Sequence, residues 1–423
     1  MIKKSAVVSG FPALNSNVRR AMEALAENGL LDEFHTTIDT TRASALLKGT
    51  PWYDVMARRA LPAEVHRLTR SHPLREFSRL LSQRTPLRRI ARGSNIHDSL
   101  HAIDRAVAAR VRTGVAGVYG YEDAAAQSFS EAARAGIPRI YDLPIAYWRE
   151  GTALLDEEAS RQPEWADTLT HRRNADRAAW EERKERELGL ATRIITASSF
   201  TRASLRSYPG ELAPTAVIPY GAPAPSAPRP HRRDGRLRVL FVGGLSQRKG
   251  ISYFFDALTP LSGAVDVTVV GLKVGESRAL DRALRGGVSW IPTAPHARIL
   301  ELMRDSDVLV FPSLFEGFGL VLTEALSQGL PVIATPHTAA PDLITDGEEG
   351  WIVPIRSASA ITERLELLLD DEPLGRKMSE AARERAMTLR WSSYAEAITQ
   401  VVRDALQIEV SDTATVHVTE GTE

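Results

Sequence analysis

The sequence predicts an α/β protein built on parallel β-sheets, and two observations support this fold class. Short apolar runs alternate with helical segments in the second half of the chain, at 237–242, 265–270, 288–291, 308–311 and 331–334. Such alternation is typical of parallel sheets covered by helices on both faces. The chain also has 423 residues, more than a single hydrophobic core usually contains, so two or more domains are expected.

The N-terminal half predicts similar elements in a less regular order. Its β-branched and aromatic runs, interrupted by glycine and proline, indicate strands, and its apolar residues at helical spacing indicate helices. The predicted elements are a strand over 2–9, a helix from Asn17 to Asn28, a strand over 115–119, a helix over 124–135 and strands over 139–142 and 192–197.

Residues 56–92 form a basic segment with ten arginines against two glutamates, Glu64 and Glu76. Leu61, Val65 and Leu68 have helical spacing, and basic amphipathic helices are typical of proteins that bind anionic membrane surfaces. A solvated arginine face, balanced by acidic segments elsewhere in the fold, explains the same pattern. Both interpretations remain open at this point.

Composition narrows the class of protein. There are 53 Lys and Arg residues and 53 Asp and Glu residues, so the net charge gives no attraction to nucleic acid. The absence of cysteine excludes disulfides and thiolate catalysis, and it fits a reducing compartment. No apolar run approaches 18 residues, and the N-terminus lacks the apolar stretch of a secretory signal. We therefore expect a cytoplasmic protein.

Three further segments carry no motif that indicates catalysis or ligand binding. Residues 151–189 are highly charged, and we expect them to form a solvent-exposed pair of helices. Residues 223–230 are rich in proline and predict a stiff linker. Residues 411–423 are polar and are expected to be disordered.

Asp305 and Asp307 have the Asp-x-Asp spacing of metal-dependent transferases, but they lead into a strand, so no metal role is expected.

The most informative stretch lies between 312 and 335. A predicted strand ends before Pro312, a glycine-bearing loop follows, and a helix is predicted to begin near Gly319. Glu316 lies in the loop, and Glu324 lies roughly 7 Å along the helix at 1.5 Å per residue. The amides at a helix start suit a phosphate, and carboxylates accept hydrogen bonds from hydroxyls. This arrangement fits a sugar, a diphosphate and a ribose laid end to end.

A second motif lies in residues 236–250, which predict a strand, a glycine turn and a helix start that carries Arg248 and Lys249. Cations are unfavourable at the positive end of a helix unless an anion joins them, which favours a phosphate-binding role. Surface charges at a helix start are the simpler alternative. For the two glutamates, the alternative is ordinary stabilisation by the helix dipole.

The seven-residue gap between Glu316 and Glu324, the Arg248-Lys249 pair and the Ile-Pro-Tyr-Gly segment at 218–221 resemble the family 4 retaining glycosyltransferases (glycosyl transferases group 1). The resemblance covers about 190–355. It implies the GT-B fold, α/β with two Rossmann-like domains whose parallel sheets face a central cleft. The expected organisation has two domains. The acceptor domain covers 1–218, with a basic helical insertion at about 56–95 and a charged helical segment at 151–189, and a helix at about 393–410 completes it. The donor domain covers 219–392.

The resemblance also implies roles for particular residues. Arg248 and Lys249 would grip the donor diphosphate, Glu316 would hold the donor sugar and Glu324 the ribose. Backbone and loop contacts to the donor are expected from the glycine-rich turns and the helix start, namely Gly10, Gly244, Gly317, Phe318, Gly319 and Leu320. Many family members carry a histidine after a strand where this chain has Asp142 or Leu143. Asp142 is therefore a catalytic candidate, although this departure leaves its role open.

The resemblance implies a retaining transferase that moves a sugar from a nucleotide-diphosphate sugar to a hydroxyl acceptor, without a metal or another cofactor. The acceptor would be a saccharide or a lipid-linked molecule of cell-surface polysaccharide or glycolipid assembly, with peripheral membrane contact through 56–92. Two alternatives keep the fold. One is a sugar-nucleotide epimerase or phosphorylase, and the other is a catalytically silent partner of an active transferase.

Overall fold

The computed structural model describes residues 5–12, 14–41, 60–73, 96–169, 177–228 and 235–407. The tail at 411–423 and most of the basic segment at 56–92 lie outside these residues. The chain divides into two compact units. The first comprises Met1–Tyr119, Gln127–Ile140 and Ala397–Glu423, and the second comprises Gly120–Ala126 and Tyr141–Glu396.

The first sheet has seven strands in the order β3-β2-β1-β4-β5-β6-β7. β1 pairs with β2, β2 with β3 and β6 with β7, each in parallel. Placing β1 in the interior of the order, with later strands on both sides, is the arrangement of a doubly wound sheet. The strands are β1 Val7–Gly10, β2 Leu31–Thr36, β3 Thr69–Ser71, β4 Gly117–Tyr121, β5 Arg139–Leu143, β6 Arg193–Thr196 and β7 Thr215–Val217.

The second sheet has six strands in the order β10-β9-β8-β11-β12-β13, and all five pairings are parallel. The strand order reverses between β8 and β11, and ligands of such sheets bind beyond the carboxyl ends of the strands at this point. The strands are β8 Leu237–Val242, β9 Val265–Val270, β10 Ser289–Ile291, β11 Val308–Phe311, β12 Val332–Ala334 and β13 Gly350–Ile352. Two parallel sheets with surrounding helices confirm the predicted α/β class.

Helices connect these strands. Within the described part of the chain they are α1 Ser16–Glu27, α2 Ala63–Arg67, α3 Ile96–Arg112, α4 Ala126–Arg134, α5 Trp148–Arg161, α6 Arg177–Leu190, α7 Ser199–Ser204, α8 Ile251–Leu258, α9 Arg278–Leu284, α10 His296–Asp305, α11 Leu320–Ser327, α12 Ala340–Leu343, α13 Ala358–Asp370, α14 Glu372–Thr388 and α15 Trp391–Leu406. None of the described helices is both long and apolar enough to span a membrane.

The core of the second sheet explains why its strands are apolar runs. Val239 and Phe241 of β8 are buried against Phe254 of α8 and Leu365 of α13. A strand of a parallel sheet is covered on both faces, so it favours continuous β-branched and aromatic residues. Each such side chain contributes about 1.5–3 kcal/mol when fully buried. The predicted bounds 237–242, 265–270 and 308–311 are those of the structure.

Two predictions about the N-terminal half are wrong. β4 extends to Tyr121 rather than ending at 119, because Tyr119 and Tyr121 are both buried and continue the strand through Gly120. The segment 151–189 is not simply solvent-exposed, since Glu158 and Glu187 are fully buried. The Glu187 carboxylate accepts hydrogen bonds from the amides of residues 123, 125 and 126, which compensates the cost of burying a charge.

The predicted last helix is present as α15, and its Ile398 and Val402 are fully buried. In the first unit, Arg403 of the same helix donates to Asn28 Oδ1 at 2.8 Å. The helix therefore contacts the residue that ends α1.

Candidate functional site

The predicted donor motif is organised around the turn between β11 and α11. The loop runs from Pro312 to Gly319, and Gly319 has a φ of 87° immediately before the first helical residue, Leu320. Glycine adopts this left-handed conformation without the steric penalty of a Cβ atom. The helix therefore begins where the sequence predicts, with Glu316 in the loop and Glu324 in the helix.

The second motif forms a short 3-10 turn, Gln247–Lys249, directly after the strand and glycine segment. Gly250 ends this turn with a φ of 70°, and a Cβ atom added there would lie 2.0 Å from the carbonyl oxygen of Pro312. The amide of Leu314 donates to the carbonyl oxygen of Arg248 at 2.9 Å. The turn and the loop thus touch through their backbones, and the two sequence motifs form one site.

Three charged side chains meet at this contact. The Lys249 ammonium contacts Glu316 Oε2, and Arg248 Nη1 lies 3.3 Å from the same oxygen. Arg248 Nη1 also donates to the carbonyl oxygen of Phe315 at 2.8 Å. The exposed fractions of the side chains are 34% for Arg248, 12% for Lys249 and 15% for Glu316. Two cations against one carboxylate leave the cluster with one net positive charge.

Burial weakens the hold of both cations on their protons. Burial first, and the neighbouring Arg248 guanidinium second, lower the pKa of Lys249 well below its usual value. Burial also lowers the pKa of Arg248. An arriving anion would reverse this effect, because an opposite charge within about 4–6 Å favours the charged form. The cluster therefore gains from binding a further negative group.

The start of α11 lies beside the cations. The Lys249 ammonium is 4.7 Å from the centroid of the Phe311 ring, at the end of β11. A Cβ atom added to Gly319 would lie 2.8 Å from the same ring. The Phe311 ring therefore contacts both the Lys249 ammonium and Gly319, the residue before the first helical residue.

Glu324 has a partner that sequence reasoning missed. His296 Nε2, on the first residue of α10, lies 2.9 Å from Glu324 Oε1. The side chain of Glu324 is 20% exposed and that of His296 is 60% exposed. His296 stands next to Pro295 at the start of a predicted helix, and no motif singled it out. Only the folded structure shows that the start of α10 lies beside Glu324.

The remaining loop residues of the donor motif are fixed by packing. A Cβ atom on Gly317 would lie 2.0 Å from the carbonyl oxygen of Pro144, and the Gly317 carbonyl accepts from Thr201 Oγ1 at 2.8 Å. Phe318 is buried and its ring centroid lies 4.8 Å from that of Tyr220, in the predicted 218–221 segment. These contacts hold the loop that carries Glu316.

Gly244 is next to Gly243, where an added Cβ atom would lie 3.8 Å from Lys249 Cε. It follows β8, is exposed, and a Cβ atom there would be 3.4 Å from Val274. The next residue, Leu245, forms a parallel bridge with Lys273. Gly244 therefore adjoins the loop that follows β9.

Asp142 and Gly10 lie on the first sheet. Asp142 is buried near the end of β5, and its carbonyl oxygen accepts from the amide of Glu122 at 3.4 Å. Glu122 in turn pairs with Lys184 at 2.6 Å, and burial raises the pKa of Glu122 to about 7. Sequence reasoning missed this buried pair. Gly10 ends β1 in the first unit, where a Cβ atom would lie 2.6 Å from Ile103. The roles of both residues remain predictions.

The Asp-x-Asp pair has a structural explanation. Asp307 accepts from the backbone amide of Arg238 at 2.9 Å and from its guanidinium at 2.9 and 3.1 Å. This carboxylate therefore ties the start of β11 to β8.

Comparison with known proteins agrees with the donor motif. Residues 226–385 match the family model described as "Glycosyl transferases group 1". A D-inositol 3-phosphate glycosyltransferase of Corynebacterium aurimucosum is 31% identical over 179 residues, which cover 42% of this chain and 38% of that relative. The chain thus spans less than half the length of this relative. The predicted resemblance to group 1 glycosyltransferases is confirmed for this part of the chain.

Solved structures extend the likeness of the fold to nearly the whole chain. Sucrose-phosphate synthase from Thermosynechococcus elongatus has a TM-score of 0.63 at 19% identity and covers 96% of this chain and 100% of its own. The Anabaena protein Alr3699/HepE in complex with UDP has a TM-score of 0.61 at 15% identity, with coverages of 95% and 99%. The predicted GT-B fold is confirmed by these neighbours.

Proposed function

We propose that this protein is a retaining glycosyltransferase that moves a sugar from a nucleotide-diphosphate sugar to a hydroxyl acceptor. The observation that carries the proposal is the cluster of Arg248, Lys249 and Glu316 beside the start of α11. Its net positive charge and helix end suit a diphosphate, and its carboxylate suits a sugar hydroxyl.

The reaction needs charge stabilisation at one place. The bond between the anomeric carbon and the phosphate oxygen breaks, and the acceptor oxygen bonds to the same face of that carbon. The acceptor proton passes to the departing phosphate, so no protein nucleophile is required. Negative charge grows on the leaving diphosphate, where Arg248 and Lys249 offset it. Removing one such donor from a transition state typically costs about 10²–10³ in kcat.

Donor binding at this site would exchange the ion-pair partner of Lys249. In the structure, the Glu316 carboxylate contacts the Lys249 ammonium. An incoming diphosphate would replace that carboxylate on Lys249 and leave Glu316 free to accept hydrogen bonds from the sugar. Glu324, whose carboxylate pairs with His296 at the start of α10, would accept from the ribose hydroxyls.

This exchange predicts opposite effects of two similar substitutions. Glu316→Gln removes the competing carboxylate, so a nucleoside diphosphate without sugar should bind about fivefold more tightly, the equivalent of about 1 kcal/mol. Sugar transfer should nevertheless fall by about 10²-fold or more. Glu324→Gln, on the same turn-helix segment, should weaken nucleoside diphosphate binding. Weaker binding in both variants would contradict the exchange.

Thermal unfolding against a panel of nucleoside diphosphates tests the proposal itself. UDP comes first in the panel, because a structural neighbour is described in complex with it. A ligand at about 100 times its Kd adds roughly 2.7 kcal/mol, which moves the midpoint by several degrees. The shift should disappear in Lys249→Ala and persist in Lys377→Ala, an exposed lysine of α14. If no diphosphate shifts the wild type, the protein is a silent partner rather than a transferase.

A product assay then separates the transferase from the alternatives on the same fold. Incubation with the identified donor and a panel of saccharide and lipid-linked acceptors should yield a glycoside whose anomeric configuration, measured by NMR, is that of the donor. An inverted product would refute the retaining mechanism. A rearranged nucleotide sugar without an acceptor would indicate an epimerase.

We propose further that the acceptor belongs to cell-surface polysaccharide or glycolipid assembly and that residues 56–92 contact an anionic membrane from the cytoplasmic side. The support is the charge pattern of the sequence, ten arginines against two glutamates. Co-sedimentation with vesicles of anionic lipid tests this. Replacing Arg84, Arg88 and Arg89 by glutamate should abolish binding, and no binding by the wild type would leave the solvated arginine face.

A further inference from the structure

We infer that Glu158, a fully buried carboxylate of α5, positions the turn that carries Arg248 and Lys249. This inference rests on the proposed function, since it concerns how the proposed diphosphate site is held in shape. Glu158 lies outside every motif that the sequence resemblance covers, and its exposed fraction is 0%. A buried carboxylate is costly unless its oxygens are hydrogen-bonded, so its partners identify what it does.

Both carboxylate oxygens of Glu158 have partners. Oε1 accepts from Gln247 Nε2 at 2.7 Å and from the hydroxyl of Tyr253 at 2.8 Å. Oε2 accepts from Arg356 Nε at 2.7 Å. Gln247 is the first residue of the 3-10 turn and is fully buried. The carboxylate therefore grips the residue next to Arg248.

The side chain of Gln247 links the start of the turn to the first turn of α8. Its Nε2 also donates to Ser252 Oγ at 2.6 Å, and its Oε1 accepts from the Ser252 amide at 3.2 Å. Ser252 lies in the first turn of α8, so the side chain of Gln247 spans the Lys249–Gly250 corner. With Glu158 fixing the amide group, the two cations between these anchors have little freedom to move.

The segment that contains Glu158 touches the site at further points. We define residues 155–169 as the strap. Thr168 Oγ1 accepts from the amide of Gln247 at 2.8 Å. Leu155, Ala159 and Leu169 form a buried apolar cluster with Phe315, the neighbour of Glu316. The strap thus contacts both the turn that bears the cations and the loop that bears the carboxylate.

The strap also holds the loop after β9. A Cβ atom on Gly275 would lie 2.0 Å from the carbonyl oxygen of Asp167, and Ser277 Oγ donates to the carbonyl oxygen of Glu164 at 2.9 Å. Trp165 stacks on Phe255 with centroids 6.3 Å apart. Because the strap is anchored by this loop and by α8, it is a fixed support and not a free segment.

Arg356 supplies the charge that Glu158 needs. It has a φ of 63°, a left-handed conformation that is unfavourable for a non-glycine residue. Its guanidinium nevertheless reaches Glu158 and lies 3.1 Å from Glu157 Oε2. The neighbouring Glu157 shares Arg356 but is 47% exposed and bonds to no residue of the turn. The two adjacent carboxylates therefore form a matched pair for an experiment.

Glutamine is a poor replacement for Glu158 for a geometric reason. If its amide oxygen faced Gln247 and Tyr253, its NH₂ group would face the Arg356 donor. If it were flipped, its NH₂ group would face the NH₂ group of Gln247. Turning the Gln247 amide in response would break the bond from the Ser252 amide. Every orientation leaves one buried donor facing another donor, which is unfavourable because neither has an acceptor.

Isothermal titration with a nucleoside diphosphate and with the matching monophosphate tests this inference on the full-length protein. Glu158→Gln should weaken diphosphate binding about tenfold and monophosphate binding by less than about threefold, because a displaced turn chiefly costs the contacts to the second phosphate. Glu157→Gln should change neither Kd by more than about twofold. A role in stability alone would lower the melting temperature and leave the ratio of the two Kd values unchanged.

A second variant keeps the test decisive if Glu158→Gln does not fold. Thr168→Val removes the acceptor of the Gln247 amide without burying a charge, and it should lower diphosphate affinity about threefold while Thr168→Ser retains wild-type affinity. Equal Kd ratios in wild type and both the Glu158 and Thr168 variants would overturn the positioning role while leaving the donor site intact. Failure of the wild type to bind any nucleoside diphosphate would overturn the proposed function and this inference together.

Discussion

Gly250→Ala is the substitution for which the structure gives the clearest expected loss of turnover. The residue has a φ of 70°, and a Cβ atom would lie 2.0 Å from the carbonyl oxygen of Pro312. Real Cβ atoms are essentially never found closer than 3.0 Å to such an atom, so the turn and the loop would have to separate by at least 1.0 Å. These are the two backbone segments that hold Lys249 against Glu316.

The magnitude follows from two terms. A non-glycine residue in the left-handed region costs about 1–2 kcal/mol. Overpacking against a backbone group that cannot rotate away adds about 1–3 kcal/mol. A misplacement of about 1 Å in a catalytic site can lower the rate about 10²-fold. We therefore expect a loss of about 2–5 kcal/mol in the free energy of unfolding and about 10²-fold in kcat.

Gly29→Ala is the matched control. Gly29 has a φ of 67°, and nothing lies within 4 Å of a Cβ atom placed there. It should lose only the conformational term of about 1–2 kcal/mol and keep full turnover. Urea unfolding and steady-state sugar transfer measure both quantities. If Gly250→Ala matches Gly29→Ala in stability and retains turnover, the contact between turn and loop does not shape the site.

Two further predictions concern histidines. His296→Ala should weaken nucleoside diphosphate binding about threefold, because the Glu324 carboxylate loses its partner and can rotate. The loss of affinity should be smaller for a 2′-deoxynucleotide. Equal losses for both ligands would exclude a role of Glu324 in binding the ribose. Burial is the main reason that the pKa of His35 falls from 6.5 to about 4. His72, Arg70 and Arg110 lower this pKa further, and Glu33 raises it. The unfolded chain then binds more protons below pH 6.5, so stability should fall by about 2 kcal/mol between pH 7 and 5. Urea unfolding of His35→Gln should show a flatter pH dependence.

The donor motif was predictable because its signals are local. Pro312, Gly319 and Gly329 mark the ends of short elements, and each reflects a backbone requirement within a few residues. The same holds for β8, whose apolar run is buried on both faces. The spacing of Glu316 and Glu324 then follows from where one helix begins.

The contacts that hold the site in shape were not predictable from the sequence, because they join distant parts of the chain. Charge density at 151–189 indicated a solvated surface, yet Glu158 is separated by 89 residues from Gln247 and bonds to it. Local charge patterns do not distinguish a solvated glutamate from one that a distant arginine and glutamine enclose. His296 is a similar case, since its contact with Glu324 spans 28 residues and joins the helices on either side of β11.

The segment that matches the family model consequently does not contain all the residues that hold the proposed donor site. Residues 226–385 contain the cations and both glutamates, but Glu158 and Thr168, which hold Gln247, lie outside them. The same is true of Thr201, whose hydroxyl donates to the Gly317 carbonyl. Removing these residues would leave Gln247 and Gly317 with unpaired polar groups, each worth about 1–3 kcal/mol where buried. The proposed catalytic groups are therefore local in sequence, whereas part of the packing that holds them comes from the preceding half of the chain.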